Sequence, residues 1–164
     1  LNLGLENFCS TSKIIIPINS NSLIEYVDSE RLRLEAYHKL SAASGELGTR
    51  SQLDAIFQEL EDRYGKAPQS VINLIDVTEL RQQCNRLNLK DVMMIGNQFR
   101  LTPVELTEAH QIQLSHAYPG LRYLASAKQL SVSAPKDSQG EILQDRALID
   151  WAWVFLAQTF PINV

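Results

Sequence analysis

Two amphipathic helices joined by a stiff turn occupy residues 49–89, and their junction, Glu59-Leu60-Glu61-Asp62-Arg63-Tyr64-Gly65-Lys66-Ala67-Pro68, limits how the rest of the chain can pack. In the first helix Leu53, Ile56, Phe57, Leu60 and Tyr64 fall at i, i+3, i+4, i+7 and i+11, one continuous stripe at the helical period. Such a stripe faces a core. At about 100° per residue, Ala55, Glu59 and Asp62 share the flank and back of the same helix, so two carboxylates one turn apart point away from the stripe and are open to a partner. Gly65 is the residue type best suited to the left-handed conformation beyond a helix end. Pro68 starts the next helix where its missing N–H costs nothing.

Upstream, Lys13-Ile14-Ile15-Ile16-Pro17-Ile18 is a β-branched run ended by proline, which fits an edge strand. Asp28 or Ser29 caps a helix running to about Ser44, with Leu32, Leu34, Ala36, Tyr37 and Leu40 on a wide apolar arc and Gly45 closing it. Gly48 gives the turn before Thr49. The helix after Pro68 changes face: Val71, Leu74, Ile75 and Thr78 align first, then Val77, Leu80, Cys84 and Leu87 nearly opposite. That pattern predicts two neighbours, a cap at Asn88, and Arg81 and Arg86 as solvated charges.

Downstream, Val92–Ile95 and Phe99–Leu101 flank Gly96-Asn97 and predict a tight hairpin. Thr102-Pro103-Val104-Glu105 has the form of a capping box with proline at the first helical position, so a helix is expected from there to about His116, broken by Pro119-Gly120. Leu121–Leu124 and Gln129–Ser133 read as two more short strands, and Pro135–Gly140 as a polar loop. A last helix, from about Asp145 to Phe160, is apolar over most of its circumference and is either buried or packed on something beyond the chain. Helices first and then mixed strands and helices predict an α+β fold: a helical N-terminal half, a small, mainly antiparallel sheet in the C-terminal half, and the apolar C-terminal helix.

With 164 residues, 45% of them apolar, the chain can bury one core. The expected organisation is an irregular segment 1–12 followed by a single α+β domain over 13–164. The opening Leu1 and the absence of a period up to Ser12 suggest a piece of a longer protein. No apolar run reaches the roughly 20 residues of a bilayer span and the start lacks a signal pattern, which predicts a cytoplasmic location. A net charge of −4 gives no general drive toward nucleic acid and suits a basic protein partner better.

Chemistry is sparse. Cys9 and Cys84 form no C-x-x-C pair, so neither zinc nor a disulfide framework is supported, and Cys84 reads as packing. The glycines complete neither phosphate-binding motif, and no serine sits in G-x-S-x-G. His38, His110 and His116 lack the spacing of a helical metal pair and read as structural or solvated. No catalytic, cofactor or metal residue is therefore expected. Glu59, Glu61 and Asp62 form the one carboxylate set; Glu59 and Arg63 make an i, i+4 pair that adds only about 0.2–0.5 kcal/mol to a helix. Carboxylates at a helix C-terminus oppose the dipole, a small sign of another purpose.

Taken together, Glu59-Leu60-x-Asp62-Arg63-Tyr64-Gly65-x-x-Pro68, preceded by Arg31-Leu32-x-x-x-x-Tyr37-x-x-Leu40 and followed by Leu80-Arg81-x-x-x-x-x-Leu87-x-Leu89, resembles the C-terminal domain of the bacterial transcription-repair coupling factors, the Mfd family. The likeness covers roughly residues 13–105; Asn88 stands where glycine is common, and Pro119–Gly140 matches poorly. The resemblance implies a parent that is an ATP-driven DNA translocase, binds ATP and Mg elsewhere, displaces stalled RNA polymerase and recruits UvrA for nucleotide excision repair. It implies a regulatory, non-enzymatic role for this domain, which packs on the parent's UvrB-like module and masks UvrA binding. The family's partner-binding acids fall on Glu59 and Asp62, with Ala55 beside them, and Arg63, Tyr64, Gly65 and Pro68 form the structural motif. The chain is expected to be monomeric. A rival expectation is a nucleic-acid or polymerase contact module with Arg81, Arg86, Arg100 and Arg122 gathered on one surface.

Overall fold

In chain order the elements are β1 (Lys13–Ile15), α1 (Leu23–Tyr26), α2 (Glu30–Ala43), α3 (Arg50–Tyr64), α4 (Gln69–Arg86), β2 (Asp91–Ile95), β3 (Gln98–Thr102), α5 (Glu108–Ala117), β4 (Arg122–Leu124), β5 (Gln129–Ser133) and α6 (Asp145–Thr159). This computed structural model describes residues 13–16 and 23–161; the expected irregular segment 1–12, Cys9, and the strand end at Pro17 and Ile18 lie outside them. The fold is α+β, and the described residues form two compact units, one over 23–86 and one over 13–16 and 87–161.

The first unit is helical. Ser29 caps α2 by accepting from the Leu32 amide, and Thr49 caps α3 in a reciprocal box with Gln52, so both starts follow from side chains that satisfy orphan N–H groups. On α3 Leu53 and Leu60 are buried, with Ile56, Phe57 and Tyr64 half-buried beside them, which is the expected stripe. On α2 Ala36, Leu40 and Ala43 are buried, whereas Leu34, expected on the apolar arc, is exposed. Helix α4 packs against both α2 and α3 and is buried on nearly every side. Asn88 follows it at φ 57°, as its cap position requires.

Of the two arginines of α4 expected in solvent, Arg81 is buried, whereas Arg86 is exposed as expected and also donates to the Gly48 carbonyl at 2.7 Å. The reason lies in how α2 ends. Its C-cap is Ser44 in the right-handed helical region, and no left-handed glycine folds back to satisfy its last carbonyls. Side chains of α4 do so. Gln82 Nε2 donates to the carbonyls of Ala43 (2.7 Å) and Thr49 (3.2 Å), and Asn85 Nδ2 donates to that of Ser44 (2.6 Å). Together with Arg86 they hold the α2–α3 turn by its backbone.

The second unit is a five-stranded sheet in the order β1-β2-β3-β5-β4, parallel only between β1 and β2. The β2–β3 turn has Gly96 at φ 57°, the conformation that a tight hairpin needs. Alternation sends Val92, Phe99, Leu101, Leu130 and Val132 to a buried face. Phe99 meets Trp151 and Phe155 of α6 edge-on, with ring centroids 5.1 and 5.9 Å apart, and Trp151 stacks on Phe155. Leu148, Ile149, Ala152, Phe155 and Leu156 of α6 are buried, while Val154 is exposed.

The helix expected from Thr102 begins later. Thr102 stays in β3 opposite Asp91, the bond to Pro103 is cis, and the Val104 amide and carbonyl are bound by the Lys128 carbonyl (2.7 Å) and the Tyr123 hydroxyl (2.8 Å). Thr107 has the same capping chemistry and takes the role, its hydroxyl accepting from the His110 amide at 3.2 Å.

The turn between α2 and α3 gives a sharp test of the α4 clamp. A Cβ on Gly48 would lie 1.8 Å from the Ala43 carbonyl oxygen and 2.7 Å from Gln82 Nε2, whereas a Cβ on Gly45 meets nothing within 4 Å. Gly48→Ala is therefore expected to destabilise the chain by about 1–3 kcal/mol or more, with Gly45→Ala near neutral. Urea unfolding of the two variants checks this, and equal stabilities would show that the turn is not held as described.

Candidate functional site

Helices α2 and α3 leave a shallow groove between them, with a floor of Leu32, Ala36, Ile56, Leu60 and Tyr64. Its rim is an alternating row of charge. Lys39 Nζ lies 2.9 and 3.0 Å from the two carboxylate oxygens of Glu59 and 3.7 Å from Glu35, while Arg63 lies 3.3 Å from Glu59 on the other side. Glu59 was expected to stand open on the back of α3; its side chain is 37% exposed and carries a cation from the neighbouring helix. The floor explains this, because seating Leu60 and Ile56 against Ala36 and Leu32 brings the flank of α3 to the edge of α2.

Asp62 is exposed and accepts a hydrogen bond from Gln58 of its own helix at 2.9 Å. Ala55 is exposed as well. The structure thus keeps Ala55, Glu59 and Asp62 along one side of α3, with Glu59 at the groove and Asp62 in solvent. Glu61 has a different task, accepting from the Ala67 amide at 3.1 Å across the turn.

The junction beyond them is tied down. Gly65 adopts φ 83°, and its amide bonds back to the Glu61 carbonyl at 2.9 Å. Pro68 stands one place before the first residue of α4, its carbonyl accepting from Val71 at 3.0 Å. Tyr64 packs edge-on against Tyr26, and the Tyr26 hydroxyl lies within hydrogen-bond reach of the Leu60 and Gly65 carbonyls. Burial, and then the nearby Glu61 carboxylate, raise the Tyr26 hydroxyl above the usual phenol value, so it stays a donor. Arg63 reaches Glu59 along the outside of the helix.

Sequence reasoning missed Tyr26, Glu35 and Lys39. Glu35 and Lys39 are legible as an i, i+4 pair, but the reach of Lys39 to α3 depends on interhelical register, which no local pattern carries. The basic surface of the rival expectation loses one member, since Arg81 is buried, while Arg86 stays exposed with one bond to the Gly48 carbonyl. Among the described residues no group of three or more His, Cys, Asp or Glu is placed to hold a metal, and no helix is long and apolar enough to cross a membrane. Burial pushes the Cys84 thiol up to about 12, in keeping with a packing role.

The Glu59 carboxyl is held below its ordinary value of 4.5, first by the hydrogen bonds from Lys39 and then, against the opposing effect of burial, by the charges of Lys39 and Arg63. A carboxyl shifted in this direction stabilises the fold above about pH 4.5 and loses that contribution as pH falls through its lowered value. Glu59→Gln is expected to lower stability by at most about 1 kcal/mol near neutral pH, because the pair is exposed, and by progressively less toward pH ~3. Urea midpoints of both proteins between those pH values check it; a gap that stays constant would mean that the charge of Glu59 is not what matters.

A family model for the TRCF domain matches residues 22–114. The transcription-repair-coupling factors of Mycobacterium bovis (strain ATCC BAA-935 / AF2122/97) and Mycobacterium tuberculosis (strain CDC 1551 / Oshkosh) are each 34% identical over 125 residues, which is 76% of this chain and 10% of theirs. The chain thus spans about a tenth of the length of these curated relatives. A crystal structure of the C-terminal domain of transcription-repair coupling factor superposes with a TM-score of 0.65 at 16% identity, covering 90% of this chain and 93% of that one, a likeness of fold. The matched segment 22–114 contains the whole α2–α3 groove and the junction after it, and the chain belongs to the transcription-repair coupling factor family, with the fold of its C-terminal domain.

Proposed function

We propose that this chain is the autoinhibitory C-terminal domain of a transcription-repair coupling factor, docking through Glu59 and Asp62 on the arginine-bearing surface of the parent's UvrB-like module and masking UvrA binding. The observation that carries this reading is the placement of the two acids one turn apart along one side of α3, Glu59 on the charged rim of a groove with an apolar floor and Asp62 in solvent beside it. Carboxylates in that arrangement suit charge-assisted hydrogen bonds to guanidinium groups, and the groove supplies desolvated contact area next to them. Ala55, small and exposed on the same side, lets a partner approach the helix closely.

On this reading the domain has no chemistry of its own. ATP and Mg are bound elsewhere in the parent, which translocates on DNA in the cytoplasm and displaces stalled RNA polymerase. Docking within one chain proceeds at an effective concentration of up to about millimolar, so a weak contact suffices to keep the UvrA site covered. A rearrangement elsewhere in the parent that disfavours the docked state then uncovers it.

Reversing both charges tests the proposal. In the full-length parent, Glu59→Arg combined with Asp62→Arg is expected to raise UvrA affinity by about tenfold or more, since breaking close interfacial charge pairs costs about 2–5 kcal/mol of docking. Calorimetric titration with UvrA, after circular dichroism has shown both proteins folded, reads the change. Unchanged affinity would place the interface elsewhere.

A further inference from the structure

We propose, resting on the docking reading above, that Lys39 is a built-in competitor for the docking acid: it occupies Glu59 while the face is empty and passes to Glu35 when a guanidinium group arrives. The geometry around one ammonium points to this. Lys39 Nζ straddles both carboxylate oxygens of Glu59 at 2.9 and 3.0 Å, and Arg63 already shares one of them at 3.3 Å. A guanidinium group binds a carboxylate best as a fork, one N–H to each oxygen. With Lys39 in place each oxygen already accepts from an ammonium, so the fork would have to share both acceptors, and a third cation would enter beside two others.

A second seat lies within reach. Glu35 stands one turn away on the same helix as Lys39, at 3.7 Å, and is about half exposed. An ammonium on a flexible four-carbon stem has three donors and no preferred plane, so it moves from one carboxylate to the other by small side-chain rotations. The move exchanges one exposed ion pair for another and leaves Lys39 paired throughout. It also sets a preference among partners: a lysine presented to Glu59 would merely replace an equivalent ammonium, whereas an arginine gains the fork. The partner fitted to this face therefore presents arginine, and Lys39 keeps its affinity moderate.

The experiment uses the full-length parent, with UvrA affinity as the readout, because tighter docking covers the UvrA site more completely. Lys39→Met is expected to lower UvrA affinity by about threefold to tenfold, the scale of removing one exposed competing pair and one like-charge repulsion. Lys39→Gln should do the same. Glu35→Gln, which removes the second seat, is expected to raise UvrA affinity when Lys39 is present and to leave it unchanged in the Lys39→Met background. A merely structural Lys39 gives the opposite sign, since loosening the domain would raise UvrA affinity. That result, or no change, or an equal Glu35→Gln effect in both backgrounds, would overturn the assignment. If the Glu59→Arg, Asp62→Arg reversal itself leaves UvrA binding unaltered, the docking reading fails; if the reversal acts and Lys39→Met does not, only the competitor is lost.

Discussion

The hold of α4 on the turn between α2 and α3 is the constraint from which the rest of the first unit follows. Helix α2 ends without a left-handed glycine, and the buried amides of Gln82 and Asn85 supply the hydrogen bonds that its last carbonyls lack. Those bonds satisfy groups that would otherwise be costly to bury, and they also fix where α2 stops and α3 starts. Once both ends of the turn are held, the helices have one register against each other. In that register Lys39 faces Glu59, and Leu32 and Ala36 face Ile56 and Leu60. The rim and floor of the groove are thus set by polar contacts at its far end.

The acids near the end of α3 looked misplaced against the helix dipole. The structure resolves part of that tension. Gly65 turns the chain sharply, and Glu61 accepts from the Ala67 amide in the turn just before α4, close to the helix N-terminus where a negative group is favoured. Glu59 is compensated by Lys39 and Arg63. Asp62 is left in solvent with a neutral neighbour, so it is the member of the set whose position helix energetics explains least.

What could be read from the sequence was local. The stripe on α3, the caps at Ser29 and Thr49, the positive φ of Gly65 and Asn88 and the Gly96 hairpin all follow from rules that act within a few residues. What could not be read needed a distant partner. Arg81 and Arg86 carry the same charge as any solvated arginine, and only the carbonyl of Gly48 distinguishes the role of Arg86. Thr102 and Thr107 both offer capping chemistry, and the choice fell to sheet pairing with Asp91 and to the Tyr123 hydroxyl. The acidic face was legible at Ala55, Glu59 and Asp62, while its basic counterpart, Lys39, lies 20 residues upstream of Glu59 on another helix and was not.

An exposed ion pair contributes about 1 kcal/mol or less, a weakness that disqualifies it as a main support of a fold. The same weakness makes it suitable as a switch. The packing that holds α2 to α3 comes from Leu40, Leu53, Leu60 and Leu74, all buried in one cluster, so the charges on the rim can exchange partners without loosening the helices. A face built this way separates two requirements that usually conflict: rigid placement of the recognising group, which the core and the α4 clamp provide, and easy release of whatever binds it, which solvent-screened charge provides. The docking proposed for this domain, a contact made and broken within one polypeptide, needs both.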